Sequence, residues 1–371
     1  QCSSGIGEGF GDGISGKTTA EMKLLSTFTN AGWDIADIYG SDRTVWIMMP
    51  DGEDYPKIQF LYWQDLLAAA PPLLGSGTQA NPYQINSAED FIDLSNYCSA
   101  WAKYIILTAD IDLDNFEVFP IGNAFVKFTG NFDGQGFAVR NVRMEMSEKN
   151  YVGLFGRVDK DAAITNLGVE DVNIGGKKFV GGMIGFNGGA TISNCYTSGG
   201  YVKPNASSFA GGLIGFSTRA IISDCNSEVN IIGSGLNIGG LVGCNGKRNI
   251  IFNCYASGTI TDVNSYRFGS SAGGLVGNNS GKIEQSYSDC DITAFFNSSS
   301  EQFNLGGLAG DNTNGLITSC YANGNISFTS NPSTALINTG GVLGLNVYSD
   351  VNDCYSTGEI SFSCGAETQY I

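Results

Sequence analysis

The hexapeptide Val180-Gly181-Gly182-Met183-Ile184-Gly185 recurs as Ala210-Gly211-Gly212-Leu213-Ile214-Gly215, Ile238-Gly239-Gly240-Leu241-Val242-Gly243 and Ala272-Gly273-Gly274-Leu275-Val276-Gly277. Two further copies are Leu305-Gly306-Gly307-Leu308-Ala309-Gly310 and Thr339-Gly340-Gly341-Val342-Leu343-Gly344, and a degenerate first copy stands at Val152-Gly153-Leu154-Phe155-Gly156. Measured at the last glycine, the steps are 29, 30, 28, 34, 33 and 34 residues. A period of roughly 30 residues marks a repeat architecture, and it outranks any local propensity. Each copy continues into a second stretch: Ile192-Ser193-Asn194-Cys195-Tyr196, Ile222-Ser223-Asp224-Cys225-Asn226, Ile251-Phe252-Asn253-Cys254-Tyr255, Ile283-Glu284-Gln285-Ser286-Tyr287, Ile317-Thr318-Ser319-Cys320-Tyr321 and Val351-Asn352-Asp353-Cys354-Tyr355. Four residues past the Cys, a glycine recurs at Gly199, Gly258, Gly324 and Gly358. It reads as a turn residue that reaches φ > 0 without steric cost.

A helix-poor unit of ~30 residues with three short β-rich stretches cannot bury an apolar face alone, so it must stack on its neighbours. The economical arrangement makes each repeat one coil of a parallel solenoid, with coils ~4.8 Å apart and equivalent residues in ladders along the axis. Cys, Leu, Ile and Val then stack inward, while Asn and Tyr mark corners. A propeller blade needs about 40 residues and four strands. The expected fold is therefore all-β, a right-handed parallel β-helix (solenoid) with a small N-terminal helix-containing element. The longer steps place insertions at 262–271, 295–304 and 329–338. Insertions repeated at one point of a repeat project from one face, a natural place for recognition.

The flanks differ in character. Residues 77–150 read as an N-terminal cap grading into irregular coils, with a helix from Ala88 to Tyr97 capped by Ser87 and a strand around Tyr104–Leu107. Such a cap covers an end that would otherwise pair edge to edge. Residues 64–76 read as a linker, 1–63 as a separate closing or docking element, and 151–371 as the repeats.

Composition narrows the chemistry. The 371 residues include 52 Gly and no His, with 36 acidic and 19 basic side chains, a formal charge of −17. Without His, Ser-His-Asp and Cys-His hydrolases, HExxH metalloproteases and HxE zinc deaminases are excluded. An acidic surface repels phosphate backbones and anionic membranes, so no nucleic acid is expected as a partner. No run reaches the ~18 apolar residues of a spanning helix, so no membrane insertion is expected either. Gln1 reads as a processed end or the start of an excerpt.

Four constellations could carry chemistry or assembly. Gly11-Asp12-Gly13-Ile14-Ser15-Gly16-Lys17-Thr18 matches the P-loop pattern, but no apolar strand feeds it, so it reads as a Gly-rich loop before a helix at 20–28 whose capping box is Thr18 and Glu21. Asp110, Asp112 and Asp114 alternate on one strand face and are candidates for Ca²⁺; Asp51, Glu53 and Asp54 cluster in sequence. Solvated acidic turns are the plainer reading, since turns favour Asp on conformational grounds. Cys195, Cys225, Cys254, Cys320 and Cys354 share one position of the repeat and would stack as small hydrophobes, parallel vectors suiting a disulfide torsion poorly. Cys2 and Cys364 stand at opposite ends and could meet only by bridging successive units. Tyr196, Tyr255, Tyr287, Tyr321 and Tyr355 invite a sugar-stacking reading, although an aromatic ladder at a solenoid corner is more often structural.

The Gly-Gly-Leu-Val-Gly then Asn-Cys-Tyr-x-x-Gly pattern resembles the GLUG-motif family of bacterial secreted and surface proteins, over about residues 77–364. Residues 16–58, with Gly32-Trp33-Asp34 and Asp54-Tyr55-Pro56, resemble the segment that ordinarily closes such domains, here standing first. The resemblance implies a non-catalytic extracellular or cell-surface structural and adhesive module needing no cofactor. It implies itself as partner, assembled head to tail: either one period of a tandem protein or a subunit whose N-terminal element completes its neighbour. Trp33, Trp46 and Trp63 would then pack on the preceding coil. The alternatives are a glycan-binding module for surface glycans, a polysaccharide lyase using Ca²⁺ with a Lys or Arg base, and an ice-binding face.

Overall fold

In a computed structural model of the chain, the described residues are 70–205, 208–263, 270–296, 302–330 and 336–364, with the two-residue strands Ile35–Ala36, Trp46–Ile47 and Lys57–Ile58. The chain divides into two compact units, residues 1–68 and 69–371. In the first, Ile35–Ala36 pairs in parallel with Trp46–Ile47, which pairs antiparallel with Lys57–Ile58. The P-loop-like segment, the helix expected at 20–28 and the acids at 51, 53 and 54 lie outside the described residues.

The second unit is a parallel β-helix. A coil runs through four strands, as in Phe179–Gly181, Ile184–Asn187, Thr191–Ser193 and Tyr196–Pro204. Stacked coil on coil, these form two seven-stranded sheets, one ten-stranded and one twelve-stranded. Register is set by identical inward residues: Ile192 lies between Ile164 and Ile222, and Ile251 between Ile222 and Ile283. The three strands expected per coil are four, because the glycine hexapeptide is itself strand, corner and strand. Met183, Leu213, Leu241, Leu275 and Leu308 point inward at that corner and are fully buried. The strand after the corner folds back against the strand before it on neighbouring coils. A Cβ on Gly277 would lie 2.5 Å from the Gly243 carbonyl oxygen and 2.5 Å from the Ile238 nitrogen.

The glycines four residues past the Cys are a partial correction. Gly199 and Gly258 have φ of 68° and 113° inside long strands, the register shifting at Gly199, but Gly324 and Gly358 have no positive φ. Their Cβ positions are taken by carbonyls of the preceding coil, those of Cys290 and Gly324, so close approach selects glycine. The left-handed corner is one residue before the Cys: Asn166, Asn194, Asp224, Asn253, Gln285, Ser319 and Asp353 all have φ between 47° and 55°. Asn and Asp tolerate that region best among residues with a Cβ.

Insertions fall at one corner, as between Tyr287–Phe296 and Gln302–Gly306, and part of each lengthens the flanking strands. The N-terminal end is sealed. Helix α1, Ala88–Asn96, starts at Ser87, whose Oγ accepts from the Asp90 N–H, while Asp90 accepts from the Asn86 N–H. It packs on Tyr83–Ile85 and Ile111–Asp112. Phe91, Leu94 and Trp101 are buried, with the Trp101 indole N–H donating to the Leu94 carbonyl at 2.8 Å. Pro71 and Leu73 are buried too, and Leu74 pairs with Gln84.

Candidate functional site

Two polar columns run through the interior. Two residues past the last glycine of each motif, Asn187, Ser217, Asn245, Asn279, Asn312 and Asn346 share one row. Asn245, Asn279 and Asn312 are fully buried. Each amide nitrogen donates to the amide oxygen one coil on: Asn245 to Asn279 at 2.7 Å, Asn279 to Asn312 at 2.8 Å and Asn312 to Asn346 at 2.7 Å. The chain of amides therefore has a direction. Where Ser217 interrupts it, Asn249 fills in, accepting from the Ser217 hydroxyl and donating to Asn245. Sequence reading missed this row, although its signal, Asn at a fixed step past the glycine, was present in five of six positions.

The second column is the cysteines. Cys195, Cys225, Cys254 and Cys320 are buried free thiols; Cys354, on the last coil, is half-buried. Each thiol donates to a carbonyl two residues back, as Cys195 does to Ser193 at 3.2 Å and Cys320 to Thr318 at 3.2 Å. Ser286 replaces Cys in the same role, donating to the Glu284 carbonyl at 2.7 Å. Burial pushes Cys320 up to about 12 and raises Cys225 and Cys254 well above the ordinary thiol value. These are packing groups with the reactivity of buried thiols, which is low.

Outside, tyrosines and acids form a rail on the twelve-stranded sheet. The Tyr196 hydroxyl donates to Glu170 at 2.6 Å and the Tyr255 hydroxyl to Glu228 at 3.0 Å, so each phenol clasps the acid of the coil before it. Tyr196 holds Glu170 below its ordinary value, with Arg140 adding to the effect; burial and then the glutamates push both tyrosines up to about 12. The rings of Tyr255, Tyr287, Tyr321 and Tyr355 stack in sequence, centroids 5.0, 4.7 and 5.4 Å apart and planes within 11°. Ring faces turned to one another leave only edges for a sugar; the exception is the outer face of Tyr355, 57% exposed.

Asp110, Asp112 and Asp114 each meet a different partner. Asp110 pairs with Arg140 at 3.0 Å, Asp112 accepts from Asn141 at 2.7 Å, and Asp114 pairs with Arg143 at 3.6 Å. Asn141 and the Asp114 N–H hold Asp112 below the usual carboxylate range. No group of three or more metal-ligating side chains occurs among the described residues, and no helix among them is long and apolar enough to cross a membrane. Cys2, Trp33 and Trp63 lie outside the described residues; Trp46 and Cys364 are placed by their backbones in Trp46–Ile47 and Ile360–Cys364.

The feature that sets one part of the molecule apart is the last coil, Leu336–Cys364. Leu308, Ala309 and Ile317 are fully buried, while their partners one coil on, Val342, Leu343 and Val351, are only half-buried. Leu336, Ile360 and Phe362 are exposed. Asn346 ends the amide chain with its nitrogen 3.4 Å from the Ser349 carbonyl, in place of the amide oxygen its predecessors find. Among the described residues, the first rung is thus covered by α1, while the inward side chains of the last described coil are less buried than their counterparts one coil before.

The GLUG motif is matched at residues 234–261 and 301–327. Halomucin of Haloquadratum walsbyi is 32% identical over 148 residues, 37% of this chain and 2% of its own length. A protein of Evansella cellulosilytica named a Gly-rich membrane protein is 36% identical over 184 residues, 47% of this chain and 21% of its own. The chain thus spans a small part of these relatives. A solved Bacteroides ovatus structure described as an immunoglobulin A1 protease is similar with TM-score 0.58 at 22% identity, covering 76% of this chain and 86% of that one. A second structure, an IgA1 protease, gives 0.57 at 20% identity, covering 73% and 21%. At such identity the likeness is one of fold alone. Each motif match spans about one coil, from the glycine corner through the Cys column to the following strand, so the chain is a parallel β-helix that carries the GLUG motif in two of its coils.

Proposed function

We propose that this chain is a non-catalytic, extracellular structural module, a surface β-helix that joins other modules end on. The observation that carries the reading is the contrast, among the described residues, between a first rung covered by α1 and a last coil, Leu336–Cys364, whose inward side chains are half-buried. Among the described residues no strand pairs beyond that coil in any of the four sheets, so a half-buried apolar floor and strand edges are a template for further strands, of this or another module. A contact between unlike ends does not close on itself and so generates filaments.

The motif match and the names of the two relatives, a mucin and a membrane protein, support a cell-surface setting. The His-free composition removes the commonest general base, and Asp110 and Asp114 each have an arginine partner. The protease-named structures bear on fold only, and no catalytic role is taken from them. The test is sedimentation velocity across a wide concentration range with negative-stain imaging. Particles that lengthen along one axis are expected; a single globular monomer throughout would refute end joining.

A further inference from the structure

We infer that Arg219, Lys247, Arg248, Ile221, Ile250 and Phe252 form a binding surface for a linear acidic polysaccharide that carries a carboxylate on each sugar. The inference goes beyond the end-joining reading and does not depend on it.

The surface lies on two neighbouring coils in the middle of the β-helix. Strands Ile221–Ser223 and Ile250–Phe252 pair in register, Ile221 beside Ile250 and Ser223 beside Phe252. Their central residues, Ile222 and Ile251, are fully buried, so the residues on either side of them face outward. Ile221 is 48% exposed, Ile250 36% and Phe252 38%. The same outward positions hold Thr191 and Ser193 one coil earlier and Lys282 and Glu284 one coil later. Two polar coils therefore bracket an apolar strip.

Cations border that strip. The turn leading into each strand carries Arg219 on one coil and Lys247 and Arg248 on the next, all exposed. The Arg219 N–H donates to the Lys247 carbonyl at 3.2 Å, which sets Arg219 beside Arg248. Lys127, Arg140, Arg143, Lys177 and Lys282 each form an ion pair. Arg219, Lys247 and Arg248 form none among the described residues. Both arginines hold a left-handed φ, 56° and 61°, at a corner where other coils place Gly189 and Asn314. Gly and Asn suit that conformation better than Arg. The guanidinium groups thus stand there against the backbone's preference, which is a mark of a functional position.

Charge and shape select the ligand. Residues 203–252 carry four basic and two acidic side chains, in contrast to one basic and eight acidic in 282–364. The two acids, Asp224 and Glu228, follow the far end of Ile221–Ser223 from Arg219 and accept from Asn253 and Tyr255. At physiological salt a charge is felt over ~8 Å. A narrow anionic chain on the strip therefore meets the cations, while a bilayer or a second copy of this acidic chain spreads onto acid-rich coils. Both strands are paired on either side, with Thr191–Ser193 and Lys282–Glu284, which leaves no edge for an added peptide strand. Phe252 is the one aromatic ring of the six residues, too few for the successive base stacking that holds single-stranded nucleic acid. A carboxylated polysaccharide fits: coils repeat at ~4.8 Å, about the length of one sugar unit. Each guanidinium can take a carboxylate through two parallel N–H bonds, and the Ile and Phe side chains can cover the C–H faces of the rings.

The experiment titrates the full chain with oligogalacturonate by calorimetry at low and raised salt, and in parallel with a neutral glucan, single-stranded DNA and anionic lipid vesicles. Oligogalacturonate is expected to bind, and to bind more weakly as salt rises. Arg219→Asn combined with Arg248→Asn suits the left-handed corner, so the melting temperature should hold while affinity falls at least ~10-fold. Ile250→Ser combined with Phe252→Ser should weaken binding with its salt dependence unchanged. Lys203→Gln, on the strand Tyr196–Pro204 of another sheet, should bind as the parent does. No binding of oligogalacturonate at low salt overturns the inference, as does a double Arg variant that binds like the parent. Equal binding of the glucan, the DNA or the vesicles overturns it too.

Discussion

Replacing Asn279 by Ala would cut the amide chain at its centre. The Asn279 oxygen accepts from Asn245 at 2.7 Å and from the Gly281 N–H at 3.2 Å, and its nitrogen donates to Asn312 at 2.8 Å. After truncation the buried Asn245 nitrogen retains only the Lys282 carbonyl, 3.5 Å away, and the Asn312 oxygen loses its donor. Two buried groups left short of partners, at ~1–3 kcal/mol each, with a further cost at Gly281, give a destabilisation of about 3–6 kcal/mol. That is at the upper end for a single substitution. Because each coil contacts only its neighbours, the damage should be local: hydrogen exchange should quicken at the coils after Asn279 while those around Cys195 and Cys225 stay protected. Equilibrium urea unfolding measures the total, and Asn346→Ala, which strips only the buried Asn312 nitrogen of its acceptor, is the comparison expected to cost about 1–3 kcal/mol. If Asn279→Ala and Asn346→Ala were equally mild, the ladder would be incidental to stability.

Three other outcomes follow from the geometry. Gly277→Ala sets a Cβ against immovable backbone on two sides, so a loss of at least ~1–3 kcal/mol is expected, read as a lower melting temperature or insoluble product; an unchanged melt would contradict the close approach. Glu170, held below its ordinary 4.5 by Tyr196 and Arg140, contributes stability that is present above pH 4.5 and lost as pH falls through its lowered folded value. Glu170→Gln should therefore lower the melting temperature at neutral pH and flatten its decline in that acid window; a parallel shift at every pH would sever the link. In a chain with Cys2 and Cys364 replaced by Ser, a thiol reagent at mild alkaline pH should modify Cys354 first and leave Cys98, Cys225, Cys244, Cys254, Cys290 and Cys320 untouched until unfolding, since burial raises all six; simultaneous labelling would show that the column is open.

The repeat was legible because a solenoid writes its period into the chain: the same inward Ile or Leu must recur whenever the coil returns. The cap was legible in part, since Ser87 and Asp90 are local signals for a helix start. The number of strands per coil was not, because Gly-Gly-Leu-Val-Gly specifies a corner only through backbone on adjacent coils. The glycines at 324 and 358 look identical in sequence to those at 199 and 258, yet they answer a different demand, close approach in place of positive φ. The tyrosine ladder could be read as a binding surface until the rings were seen to face one another.

By itself, the sequence determined the fold class, the inward columns of Cys and aliphatic residues and the exclusion of His-based catalysis, all of which depend on residue identity and spacing. Only the tertiary structure decided that the amides of Asn245, Asn279, Asn312 and Asn346 form a directed chain, and that α1 covers the first rung while the inward side chains of Leu336–Cys364 are half-buried. The reason is physical: hydrogen-bond direction and burial belong to coils some 30 residues apart in the chain and about 4.8 Å apart in space, and no single repeat contains both partners.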